Sequence, residues 1–192
     1  MARYAAIDCG TNSLRLLISE DNHGRPREIV RLMEIVRLGQ GVDATGEFAP
    51  EALERTRKVL TKYVDLMQQE RVQDVRMVAT SATRDARNKD EFFAMTAELL
   101  GQIRPGACAQ VITGEEEAKL SFIGAVAYLS KEQGPFCVID LGGGSTEFVV
   151  GVAGGQLLGS YSSQMGCVRI SERIMQSDPP TPEEVEAARQ YV

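Results

Sequence analysis

The chain has no tryptophan and only one histidine. No apolar run approaches the roughly 18–20 residues needed to cross a bilayer as a helix, so membrane insertion is not expected. The N-terminal MARYAAIDCG lacks the charged, then apolar, then small order of a secretory signal, and a cytoplasmic protein is expected. His23 falls in a polar, solvent-exposed stretch, which argues against chemistry built on imidazole. The cysteines Cys9, Cys108, Cys137 and Cys167 have no metal-ligand spacing. Three of them lie in apolar strand-like runs, and they read as reduced core residues. Positive charge is also scarce: 21 Lys and Arg against 27 Asp and Glu leave a net charge of −6. That balance argues against nucleic acid as a partner. An acidic chain that handles a polyanion must concentrate its cations locally or borrow charge from a metal ion.

What remains is the composition of a globular protein, 43% hydrophobic and 25% charged over 192 residues. Apolar runs at 3–8, 14–19 and about 29–38 predict a three-stranded antiparallel meander, with Asn22 and Gly24 in the second connection. Pro50 opens a helix on which Leu53, Leu60, Tyr63, Val64 and Met67 recur at helical spacing. A strand over 74–80, a helix over 90–100, a strand over 108–112 and a helix over 114–130 follow. The pattern then restarts: strands at 136–141, 146–150 and 156–162, a helix near 168–175, and a last one from Thr181. There Thr181, Pro182 and Glu184 supply an N-cap, an N1 proline and a capping box. The expected division is a first domain over 1–130 and the N-terminal part of a second over 131–192, the latter lacking later strands and helices.

The restart is a repeat. Ala6-Ile7-Asp8-Cys9-Gly10-Thr11-Asn12-Ser13 aligns without a gap on Val138-Ile139-Asp140-Leu141-Gly142-Gly143-Gly144-Ser145. Small residues let backbone N–H groups approach an anion, and the hydroxyls of Thr11, Ser13, Ser145 and Thr146 add donors. Asp8 and Asp140 would repel that anion unless a Mg²⁺ (or Mn²⁺) ion, held through its waters, intervened. One glycine hairpin with an Asp is usually only a turn. Two copies in register, each opening a similar series, point to a cleft between duplicated domains.

DCGTNSLRLLI and VIDLGGGSTEFVVG resemble the two phosphate loops of the exopolyphosphatase/guanosine pentaphosphate phosphohydrolase family. ATSATRDARN (79–88), TGEEEAKLSFIGA (113–125) and MGCVRISE (165–172) are similar to the same family in the same order. The resemblance implies an α/β fold of the actin-like ATPase (ribonuclease H-like) type: duplicated domains with mixed sheets and an interdomain cleft, the second incomplete here. It also implies release of terminal phosphate from inorganic polyphosphate or guanosine penta- or tetraphosphate, and a homodimer of the full-length protein.

Glu115, Glu116 and Glu117 open a helix, and residue chemistry does not choose among them: Thr113 with Glu116 has capping-box spacing, and Glu115 complements the helix dipole. The resemblance assigns the catalytic role to Glu117, the glutamate before the alanine. Leu120 and Gly124, three and seven residues on, are expected to share an inward face with it. Asp140 and Glu147, with Asp8 third, are the metal-organising candidates; Glu147 also fits an exposed strand position, and the resemblance favours function. Gly10, Thr11, Asn12 and Ser13, and Gly142, Gly143, Gly144, Ser145 and Thr146, are the phosphate-binding candidates. Arg15 and Arg84 would add guanidinium grips, although Arg84 also suits a surface pair with Asp85 or Asp90. Arg169 is a weaker candidate, and the basic run 25–37 reads as the solvent face of an edge strand. Two alternatives share these loops: an ATP-dependent kinase of the same superfamily, and a non-catalytic guanosine-phosphate or polyphosphate sensor.

Overall fold

Buried and exposed residues alternate along β1 (Arg3–Cys9) and β2 (Ser13–Asn22), which pair antiparallel. β3 (Arg25–Ile35) completes the expected meander. The computed structural model describes residues 1–23, 25–130 and 133–192, and the turn glycine Gly24 lies outside the described residues. β2 runs further than its apolar pattern because the buried Glu20 continues the inward face. Hydrogen bonds from Arg27 (2.8 Å) and Arg3 (3.3 Å) satisfy that carboxylate and hold it below the usual carboxylate range. β3 ends before Leu38 because the N–H groups of Val36 and Arg37 turn to the Asn12 carbonyl, each at 2.9 Å.

Two short helices, α1 (Val42–Thr45) and α3 (Ser81–Asp85), are too brief to leave a periodic signal. Between and after them come α2 (Pro50–Gln69), β4 (Asp74–Ala79), α4 (Lys89–Leu100) and β5 (Ala109–Val111). β4 is parallel to both β1 and β5, which gives a mixed sheet in the order β3-β2-β1-β4-β5. Its buried face, including Ile7, Leu14, Leu16 and Ile18, forms one core with Leu60 and Met67 of α2 and Phe92 and Leu100 of α4. Tyr63 lies in the same core, and its hydroxyl donates to the Leu14 carbonyl at 2.9 Å.

Burial pushes the Tyr63 phenol up to about 12. The unfolded tyrosine ionises near pH 10, so the folded state holds its proton more tightly and loses stability as pH rises from about 10 toward 12. Tyr63→Phe should lower the unfolding free energy by about 1 kcal/mol at neutral pH and flatten the alkaline loss, as read from urea midpoints at pH 8 and pH 11.

The chain divides into two compact units, Met1–Val111 and Ile112–Val192. The second contains α5 (Gly114–Val126), β6 (Phe136–Leu141), β7 (Thr146–Gly151), β8 (Leu157–Ser163), α6 (Cys167–Arg173) and α7 (Pro182–Tyr191). β6-β7-β8 is a second antiparallel meander. The division falls earlier than residue 130 because α5 groups with this meander: Ala118, Phe122 and Val126 pack on Val149, flanked by Phe136, Val138 and Leu157. The Thr181 capping box forms as expected.

The cysteines differ from expectation. All four are free, but only Cys9 is buried. Cys108 precedes β5, Cys137 lies on the exposed face of β6, and Cys167 opens α6. Burial, with Asp8 alongside, pushes the Cys9 thiol far up.

Candidate active site

The repeat seen in sequence is also a repeat of hydrogen bonds. In the first loop the Gly10 N–H donates to the Ser13 carbonyl at 3.0 Å; in the second the Gly142 N–H donates to the Ser145 carbonyl at 2.9 Å. Each turn leaves its Asp opposite the same strand position, Asp8 against Arg15 and Asp140 against Glu147.

In both loops a neighbouring segment occupies the carbonyls. Asn12 accepts from Val36 and Arg37, and Thr11 from Gly39 at 2.8 Å, while the Thr11 and Ser81 hydroxyls bond at 2.8 Å. In the second loop Gly142 accepts from Cys167 at 3.1 Å, and Gly143 from Val168 at 2.9 Å and Arg169 at 3.1 Å. Arg169 Nε donates to the Gly144 carbonyl at 2.8 Å, and the Thr146 hydroxyl donates to Met165 at 2.6 Å. The carbonyls are thus tied back. Among the described residues, the N–H groups of Thr11, Asn12, Gly143, Gly144 and Ser145 donate to no protein acceptor. Consecutive N–H groups without acceptors on glycine-rich backbone form an anion-binding nest.

Two glycines in these supporting segments escaped the sequence reading. A Cβ on Gly39 would lie 2.3 Å from the Thr11 methyl, and one on Gly166 would lie 2.3 Å from the backbone of Gly143. Only the restart of glycine after each meander, at Gly39 and Gly166, hinted at them.

The carboxylates differ between the copies. Asp8 forms an ion pair with Arg15 at 3.4 Å, and Arg15 remains 57% exposed. In the second copy the partner of Asp140 is another carboxylate, Glu147, and Glu147 is only 1% exposed. The exposed-strand reading of Glu147 therefore falls. Its cross-strand neighbour Ser162 donates to Oε1 at 2.9 Å, and Ser121 of α5 donates to Asp140 Oδ2 at 2.6 Å.

Like charges directly opposite on a sheet repel, and hydroxyls do not cancel that charge. A divalent cation would. Among the described residues no three His, Cys, Asp or Glu side chains group as a metal site. A pair of carboxylates still fits Mg²⁺, which commonly binds one or two of them and completes its shell with water and phosphate oxygens.

Glu117 lies four residues before Ser121, and residues at that spacing are neighbours on one helix face. The expected inward partners are not inward: Leu120 is 38% exposed and Gly124 is also exposed. Ala118, Phe122 and Val126 form the buried stripe instead, and Ser121, half-buried beside it, shares the face of Glu117. Thr113 caps the helix, accepting from the Glu116 N–H at 3.1 Å. Arg84 closes α3 and is half-buried; His23 is exposed, and β3 is the edge strand expected of the basic run.

A model of the Ppx/GppA phosphatase family matches residues 17–192. The chain is 56% identical to exopolyphosphatase 2 of Mycobacterium tuberculosis over its whole length and spans 61% of that protein. It is 35% identical to a Ppx/GppA family member from Aquifex aeolicus, with a TM-score of 0.74, covering 97% of this chain and 58% of that one. To an exopolyphosphatase from Cytophaga hutchinsonii it is 29% identical, with a TM-score of 0.86, covering 98% and 59%. The fold is thus the mixed α/β, actin-like one that the sequence implied.

Proposed function

The chain belongs to the Ppx/GppA phosphatase family, and from that membership we propose that it carries the phosphate-gripping part of a cytoplasmic phosphohydrolase. The enzyme releases terminal orthophosphate from inorganic polyphosphate, with guanosine pentaphosphate or tetraphosphate as a second substrate of the same chemistry. The observation that carries this reading is the second unit's own cluster. Loop N–H groups without acceptors adjoin two opposed carboxylates, and Glu117 stands one helical turn from the hydroxyl that holds Asp140.

In the proposed reaction Glu117 accepts a proton from a water molecule as the water oxygen attacks the terminal phosphorus. The bond from that phosphorus to the bridging oxygen breaks, the shortened chain keeps that oxygen with the electron pair, and the terminal phosphorus is released as orthophosphate. N–H groups of Gly143, Gly144 and Ser145, and of Thr11 and Asn12, hydrogen-bond the phosphate oxygens, with the hydroxyl of Ser13 and the guanidinium groups of Arg15 and Arg84 as further donors, while the Thr146 proton stays with the Met165 carbonyl. Asp140 and Glu147, with Asp8 as a third carboxylate, would hold Mg²⁺ or Mn²⁺ through its waters. Bound there, the ion supplies positive charge against the phosphate oxygens. A homodimer of the longer protein belongs to the same reading. Among the described residues no helix is long and apolar enough to cross a membrane.

The test is orthophosphate release from long-chain polyphosphate, with Mg²⁺ and with chelator, by this chain and by the longest natural form of the protein that carries it. Metal-dependent release is expected from the longer form, with guanosine pentaphosphate assayed in parallel. A folded protein that binds either compound yet releases no phosphate from either would overturn the hydrolase and leave a sensor.

A further inference from the structure

Asp140 lies on β6, whose partner strand among the described residues is β7. Its cross-strand partner is the carboxylate Glu147, which repels it. That partner offers Asp140 no donor. The donor comes from α5: Ser121 Oγ at 2.6 Å from Oδ2. We propose that Ser121 is a positioning residue, which fixes the Asp140 carboxylate and couples it to the helix that carries Glu117. This inference rests on the phosphohydrolase reading above, because it matters only if Asp140 acts on a cation.

Three observations support it. First, the bond is short and links the proposed base's helix to the opposite layer, so Glu117 and Asp140 are set from one rigid element. Second, the arrangement is matched on the neighbouring strand, where Ser162 donates to Glu147 at 2.9 Å. Each carboxylate thus keeps one oxygen engaged by a hydroxyl. Third, the α5 surface of Ala118, Phe122 and Val126 is buried in the sheet, which fixes the rotation of the helix and so the place of Ser121. Hydrogen bonds from outside a metal's own ligands commonly change its affinity by about 10–100-fold.

The experiment uses Mn²⁺ as the probe, with free ion followed by electron paramagnetic resonance, on the longest natural form of the protein. Wild type, Ser121→Ala, Ser121→Thr, Asp140→Asn and the Ser121→Ala/Asp140→Asn double variant are compared. Ser121→Ala is expected to weaken Mn²⁺ binding about tenfold. Ser121→Thr, which retains the hydroxyl, should stay within about threefold of wild type. In the Asp140→Asn background the Ser121→Ala change should add nothing, since the group it positions is already altered. If Ser121→Ala alone leaves the affinity unchanged while Asp140→Asn lowers it, Ser121 is not a positioning residue and the site reading survives. If the serine change weakens binding equally in both backgrounds, its role is only in helix packing. If Asp140→Asn binds Mn²⁺ as wild type does, the metal-organising role of Asp140 fails and takes the serine proposal with it.

Discussion

Glu117→Gln is expected to lower kcat for orthophosphate release by about 10²–10⁴-fold, the usual contribution of a positioned general base. The substitution keeps shape and hydrogen-bonding capacity, and it removes the ability to take a proton. KM should change little, because in the proposed reaction the loop amides rather than Glu117 grip the phosphate. The neighbouring glutamates are the controls. Glu115 is exposed, and Glu116 sits at the position whose N–H is capped by Thr113. Each carboxylate complements the helix dipole for a few tenths of a kcal/mol. Glu115→Gln and Glu116→Gln should therefore keep kcat within about threefold and shift stability only slightly. Steady-state phosphate release from the three variants, with urea midpoints measured alongside, separates base from helix support. Equal losses in all three would remove Glu117 from the reaction and assign the effect to the helix start.

Residue spacing alone does not choose among the three glutamates, and the reason is geometric. Three consecutive glutamates sample three directions around a helix, and spacing alone does not say how that helix seats on its sheet. Ala118, Phe122 and Val126 set that position, whereas Leu120 and Gly124 were the residues expected to face inward with Glu117. The local devices were legible: the two meanders, the Asp-bearing turns in register, the Thr181 capping box and the amphipathic α2 all follow from residue spacing. Long-range partners were not. Nothing local in Val36–Gly39 or Met165–Arg169 says that their N–H groups will occupy loop carbonyls far away in sequence. The exposure of Cys137 was hidden for a related reason. An apolar run reads as buried on both faces, and among the described residues β6 is covered by α5 on only one.

Gly166→Ala should have the second large effect, and it follows from those long-range partners. Gly166 has an extended backbone, φ −147° and ψ 154°, which alanine adopts freely. The obstacle is space. An added Cβ would lie 2.3 Å from both the carbonyl carbon and the oxygen of Gly143, and 2.5 Å from the Gly144 nitrogen. These are backbone atoms with no rotamer to relieve the overlap, so the second phosphate loop must shift by about 1 Å to restore ordinary contact. A misplacement of that size typically costs about 10²-fold in rate. It also strains the bonds from Cys167, Val168 and Arg169 that hold the loop carbonyls, with an overpacking cost of about 1–3 kcal/mol. Gly39→Ala is the informative contrast. Its new Cβ would meet side-chain carbons, the Thr11 methyl at 2.3 Å and the Ala82 methyl at 3.1 Å. Rotation of Thr11 relieves the first overlap, but it breaks the hydroxyl contact to Ser81. A loss of about tenfold is expected there, smaller than for Gly166, because no backbone donor has to move. Phosphate release and urea unfolding of the two variants test the ranking. A Gly166→Ala protein with wild-type kcat/KM would show that the second loop tolerates displacement and that its N–H groups do not set the rate.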